Sequence, residues 1–182
     1  MGVPHAGLCR NALYSLGILA VIAAITMGLP ALDRALPRDR AVPLGVAYPV
    51  TDTVTVIPPP GALLDVSQTR PGRDSGRAVF LVGRVRFAIL VSADRLTLDA
   101  AADRLRTRLR DGLGASAIAT DEPAPAGARA GRFRAGPDHG WYAVRVFDAT
   151  TVVDATASGP PGELTTVLPA LRAAAASIAR TA

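Results

Sequence analysis

Asp138 and His139 are adjacent within Gly136-Pro137-Asp138-His139-Gly140, and a carboxylate beside an imidazole is the pairing that general acid–base chemistry uses. The composition of the five residues is nevertheless that of a turn, with Gly and Pro as its punctuation. The turn is the stronger reading. Trp141, the single tryptophan of the chain, follows at the edge of that turn. A lone Trp there is either a plug in the core or a platform for a ligand, and the plug is the plainer of the two. Asp138, His139 and Trp141 are therefore candidates for contact with a partner rather than for catalysis.

Other chemistries find less support. His5 lies near the N-terminus and His139 is far from it, so no HxH or HxxxH spacing exists to hold a metal. Ser67, Ser75, Ser92, Ser116 and Ser158 lack a GxSxG setting, and Gly83, Gly112 and Gly114 build no phosphate loop. Cys9 is the only cysteine and precedes the apolar run described below, which leaves the rest of the chain without a disulfide or a thiolate site. Leu8 before it and the apolar stretch after it do not make a lipoprotein signal, and an idle thiol is a plainer reading than acylation. No catalytic residue, metal or cofactor is expected.

The basic residues are all Arg, with heavy use of Ala, Gly and Pro, as codon bias in a GC-rich genome produces. The high sequence pI of about 10.6 looks like a nucleic-acid signal. After residue 40, however, sixteen Arg face thirteen Asp and Glu, an excess of only three. That is a solvated surface rather than a basic patch, and aromatics at 4% are too few for a stacking platform. Nucleic acid is disfavoured as a partner.

The elements that position any site begin with Asn11 to Leu32, a run without charge between Arg10 and Asp33. As a helix rising ~1.5 Å per residue it would span about 33 Å, enough for the hydrocarbon layer of a bilayer. Both a cleaved signal peptide and an uncleaved anchor start this way. Length favours the anchor, as does Leu29 where cleavage wants a small residue. The flanking charges, Arg10 against Arg34, Arg38 and Arg40, would keep the following chain inside by the positive-inside rule. A short head followed by one long apolar run nevertheless reads as a signal anchor with an extracytoplasmic domain. The expected organisation is a polar head over 1–10, a transmembrane helix over 11–32, a Pro-rich spacer over 33–49 and one globular domain over 50–182.

Within that domain Asp52 to Ile57 is rich in β-branched residues and stops at Pro58-Pro59-Pro60-Gly61, which predicts a strand and a turn. Ala62 to Gly76 reads as loop. Ala78 to Val82 and Val85 to Val91 flank Gly83-Arg84 as a tight hairpin expected at the centre of the sheet. Thr97 caps a predicted helix that places Leu98, Ala101 or Ala102, Leu105 and Leu109 on one side and ends at Gly112 or Gly114. Its Arg104, Arg106, Arg108 and Arg110 read as a solvated face rather than an anion site. Ala117 to Thr120 is a short strand at most, Arg129 to Ala135 an edge strand, and Trp141 to Phe147 pairs with Thr150 to Ala157 across Asp148-Ala149. Pro160 and Pro161 open a last helix that Pro169 should kink or restart, with Leu171, Ala174 or Ala175 and Ile178 packed on the sheet. The sum is an α+β domain, an antiparallel sheet with two main helices packed on it in two layers.

The run Val54 to Ala62, the Gly-containing hairpin, Ala102-Asp103-Arg104-Leu105 and the closing Val153 to Ala157 strand before Leu164 to Ile178 resemble single-pass membrane proteins of actinobacteria whose soluble part is a Mog1/PsbP-like sandwich. The resemblance spans roughly residues 46 to 180 and lies in hydrophobic rhythm and element order. It implies an extracytoplasmic α/β/α domain that acts as a binding or assembly module, without an active site. The expectation is a membrane-anchored, non-catalytic domain that binds an envelope protein partner or a lipid-like ligand. The alternative is an envelope enzyme whose residues converge only in three dimensions.

Overall fold

The computed structural model describes residues 19, 21–23, 26, 39–114, 117–122, 124, 127–148 and 150–181. The chain divides into two compact units, Met1–Pro37 and Arg38–Ala182. In the first, residues 19, 21–23 and 26 are helical, and Thr26 Oγ1 donates to Ile22 O at 2.8 Å. The expected span over 11–32 otherwise lies outside the described residues, and among the described residues no helix is long and apolar enough to cross a membrane.

The second unit is α+β and its strand pairs are antiparallel. In chain order it runs β1 (Asp39–Ala41), β2 (Tyr48–Pro49), β3 (Val54–Val56), β4 (Leu63–Asp65), β5 (Gly76–Val82), β6 (Val85–Ser92), α1 (Leu98–Leu113), β7 (Ala117–Glu122), β8 (Ala128–Ala135), β9 (Asp138–Phe147), β10 (Thr151–Gly159), α2 (Pro161–Ala176) and β11 (Ala179–Arg180). Eight strands form one sheet in the order β1-β4-β5-β6-β10-β9-β8-β7. The hairpin β5–β6 turns on Gly83 at φ +60°, a value that favours glycine. It joins the second hairpin β9–β10 through β6 and β10, where Ile89 faces Ala155 and Phe87 faces Ala157. The central places thus belong to β6 and β10, with β5 one step out.

Because side chains alternate across a strand, each helix meets a different face of the sheet. Tyr142, Val144 and Val152 pack with Ala101, Leu105 and Leu109 of α1. Trp141, Val153, Ala155 and Ala157 pack with Leu164, Leu171 and Ala174 of α2. The domain has three layers rather than the expected two, since β9 and β10 carry apolar residues at odd and even positions alike. Thr97 caps α1 as its type requires, its Oγ1 accepting from Ala100 N at 3.3 Å, and Gly114 closes it at φ 60°.

Several expectations about local structure are corrected. Val54–Val56 does not join the large sheet but pairs with β2 and β11 in a separate three-stranded one. The prolines at 58–60 end its ladder, and Ile57 N turns to Ser177 Oγ at 2.9 Å beyond α2. Residues 39–49 of the expected spacer contribute β1 and β2, and Tyr48 packs edge-on against Phe80 with ring centroids 5.6 Å apart. The expected loop over 62–76 contains β4 and a turn built on buried Asp65, whose carboxylate accepts from Ser67 N at 3.0 Å and Gln68 N at 3.1 Å. Burial pushes that carboxyl up, but the hydrogen bonds from Ser67 and Gln68 together bring it below its ordinary value. Outside β8 lies β7, so β8 is not the edge. The helix α2 runs through Pro169 unbroken. Pro169 and Thr165, the residue four before it, are both exposed, so the carbonyl left without a donor faces water.

Two glycines in the β8–β9 ladder seat aromatic rings. Phe133 lies over its cross-strand partner Gly140 and Tyr142 over Gly131, so that a Cβ on Gly140 would come within 2.0 Å of the Phe133 ring. Gly140→Ala is expected to lower stability by about 1–3 kcal/mol through displacement of buried Phe133. Gly112→Ala, in α1 with open space around it, is expected to raise stability by about 0.5 kcal/mol. Chemical denaturation of the two variants checks the opposite signs.

Candidate functional site

Small residues meet on both walls where the C-terminal half of α2 crosses β8, β9 and β10. The strands present Ala128, Ala130, Ala143 and Ala155, and the helix presents Ala173, Ala175 and Ala176. Interiors are ordinarily close-packed, and methyl groups facing methyl groups at helix–sheet distance leave a void. The result is a cavity of about 370 Å³, open to solvent on one side and lined also by Trp141, Val153 and Ile178. The helix is held over it from both ends, by buried Leu164 and Leu171 on one side and by Ser177 bonded to Ile57 N on the other.

Charged groups enter the lining from three elements. Glu122 at the end of β7 pairs with Arg172 of α2 and with Arg132 of β8, which ties the edge strand to the helix. Arg172 also lies over the Trp141 ring, 5.9 Å from its centroid. Arg145 of β9 donates to Ile178 O at 3.4 Å and stacks on Phe147 at 4.8 Å. Among the described residues no carboxylate pairs with Arg145. Trp141 is 4% exposed, and its Nε1–H is buried without an acceptor among the described residues.

The three sequence candidates do not form one surface. Asp138 and His139 belong to β9 rather than to a turn, which is confined to Gly136 and Pro137 with Gly136 at φ +58°. Both are half-buried, and alternation sends Asp138 to the opposite face from His139 and Trp141. His139 and Trp141 line a small hollow of about 60 Å³ under Leu164 and Leu168 of α2. Trp141 is both core residue and cavity wall. Sequence reasoning missed Arg145, Glu122, Arg172 and the alanines. The only signal for them was alternate-position alanine on strands opposite an alanine-rich helix, which the overall alanine bias of the chain conceals.

The opposite face of the sheet carries the arginines of α1. Arg108 pairs with Asp154 of β10, which is 2% exposed, while Arg104 pairs with Asp94 and donates to Ser92 Oγ at 3.0 Å. Arg106 donates to Tyr142 OH at 3.2 Å and pairs with Asp103. The expected solvated face is thus turned in large part onto the sheet, because long Arg side chains lie down along the helix to reach buried acceptors. Burial pushes the Asp154 carboxyl up, against the pull of Arg108 and Arg104. Hydrogen bonds from Arg104 and Ser92 hold Asp94 below the ordinary carboxylate value. The cluster lies between α1 and the sheet. Among the described residues no group of three or more His, Cys, Asp or Glu side chains is placed to hold a metal. No protein-family model matches the chain, and no curated protein matches its sequence.

Removing Arg108 strands the Asp154 carboxylate, so Arg108→Met is expected to cost about 2–3 kcal/mol at neutral pH, at the low end for a broken pair because Arg108 is 40% exposed. In that variant the folded-state pKa of Asp154 rises further above its unfolded value. The folded state then holds a proton that the unfolded state has released, so the deficit shrinks as pH falls through the folded pKa. Melting temperatures of wild type and variant across pH 7 to 5 check this, and a deficit independent of pH would contradict it.

Proposed function

We propose that the chain is a membrane-tethered, non-catalytic extracytoplasmic domain that takes up a lipid-like ligand in the cavity beneath α2. One observation carries the reading: a cavity of about 370 Å³ with alanine, valine, isoleucine and tryptophan walls lies within the size of ordinary small-ligand sites. Its charged residues are tied to one another or to the backbone and are not arranged as nucleophile and base. Each methylene moved from water into such walls contributes about 0.8 kcal/mol. A ligand of this kind needs no catalytic group to be held.

The tether is read from the uncharged run over 11–32, and the spacing of a short head before it supports a signal anchor. The resemblance to Mog1/PsbP-like sandwiches supports a binding module over an enzyme. A partner protein, the other occupant such a module serves, is favoured if the cavity takes nothing apolar.

Trp141 is the only tryptophan of the chain and lines the cavity, so its emission reports on occupancy. Titration of the full-length chain with 1-dodecanol is expected to shift that emission saturably. Ala143→Leu, which fills the cavity from β9, should abolish the shift without lowering the melting temperature, since added methylenes enter an existing void. Persistence of the shift in Ala143→Leu would move binding elsewhere. For sidedness, protease added to intact spheroplasts should digest the domain; protection until lysis would favour the cytoplasmic placement that the flanking arginines suggest.

A further inference from the structure

The cavity has two charged ends that are not equivalent. Trp141 and Arg145 lie four residues apart on the same face of β9, about 13 Å along the strand. At the Trp141 end Arg172 already holds a carboxylate, that of Glu122, which it shares with Arg132. At the Arg145 end the guanidinium has one long hydrogen bond to Ile178 O and a ring beneath it, and no carboxylate among the described residues. A half-buried arginine facing apolar walls keeps most of its donors unused, and its planar fork matches a carboxylate in two parallel hydrogen bonds. Of the charged groups that line the cavity among the described residues, Glu122 and Arg172 are paired with each other, and Arg145 is the one without a carboxylate partner.

Resting on the cavity reading above, we propose that the ligand is a single-chain anionic amphiphile whose carboxylate pairs with Arg145 and whose alkyl tail runs along β9 beneath α2 to end at Trp141. The volume of about 370 Å³, at the small end of ordinary ligand sites, suits a single chain laid between Ala143 and Ala155 of the sheet and Ala175 of the helix. The cation selects the head: a neutral alcohol of equal length fills the same volume but cannot form the charge-assisted pair. Glu122 keeps Arg172 from offering a second anion site, so the head has one orientation. The free carboxylate and the free guanidinium are both hydrated before they meet, and their pairing inside apolar walls is worth more than at an open surface.

The test compares laurate with 1-dodecanol at neutral pH, in titrations of the full-length chain with phosphatidylcholine vesicles at fixed lipid, read by Trp141 emission. Laurate is expected to bind roughly tenfold tighter than dodecanol, the value of a hydrogen bond to a charged group. Arg145→Gln should bring the ratio of laurate to dodecanol affinity down to about one, while Arg145→Lys should retain part of the preference. If dodecanol binds and laurate binds no better, or if Arg145→Gln preserves the preference, the anionic head is overturned while the apolar cavity stands. If neither probe binds, the cavity reading falls and this inference falls with it. Melting temperatures of both variants separate loss of the head contact from loss of the fold.

Discussion

The pairing of β10 with β6 is the joint on which the rest of the domain depends. It is the contact that turns two local hairpins into one eight-stranded sheet, with Val153 opposite Val91 and Ala157 opposite Phe87. A strand has only two faces, and a shift of one residue in this register would exchange them. In the observed register Val153, Ala155 and Ala157 face α2, and Val152 and Asp154 face α1. Cavity and ionic cluster are therefore consequences of one register, on opposite sides of one strand.

The two faces solve the helix-packing problem differently. Beneath α1 the sheet offers Tyr142, Val144 and Val152 to large aliphatic residues, and the remaining space is occupied by arginine stems whose heads find Asp154, Asp94 and the Tyr142 hydroxyl. The buried carboxylate is held by charge, and its raised proton affinity reflects how much solvent it has lost. Beneath α2 small residues face small residues. The helix cannot settle deeper there, since Leu164, Leu171 and Ile178 already rest on the sheet at either end of the void. Close packing at the supports is what keeps the space between them open.

Trp141 connects the two themes of core and site. Its indole fills space between β9 and α2, its face takes the Arg172 guanidinium, and its N–H has no acceptor among the described residues. A buried donor left unmade costs free energy that a close-packed core residue would not incur. Such a residue is at once structural and available, which explains why neither the plug nor the platform describes it alone.

Much of this architecture was legible in the order of residues. The hairpin at Gly83, the Thr97 cap, the stop at Gly114, one of the two glycines the sequence offered, and the start of α2 within Pro160-Pro161 are local decisions, made by the conformational limits of a few adjacent residues. The apolar run over 11–32 is equally local as a pattern. Tertiary structure alone decided which strands became neighbours, why Val54–Val56 left the main sheet, and that Asp138 and Trp141 part company across β9. It alone brought Glu122, Arg145 and Arg172 to one set of alanines from three distant stretches. The physical reason is range: capping and turns are settled within four residues, whereas a cavity is the volume that side chains distant in sequence fail to fill, and an alanine declares nothing about what lies opposite it.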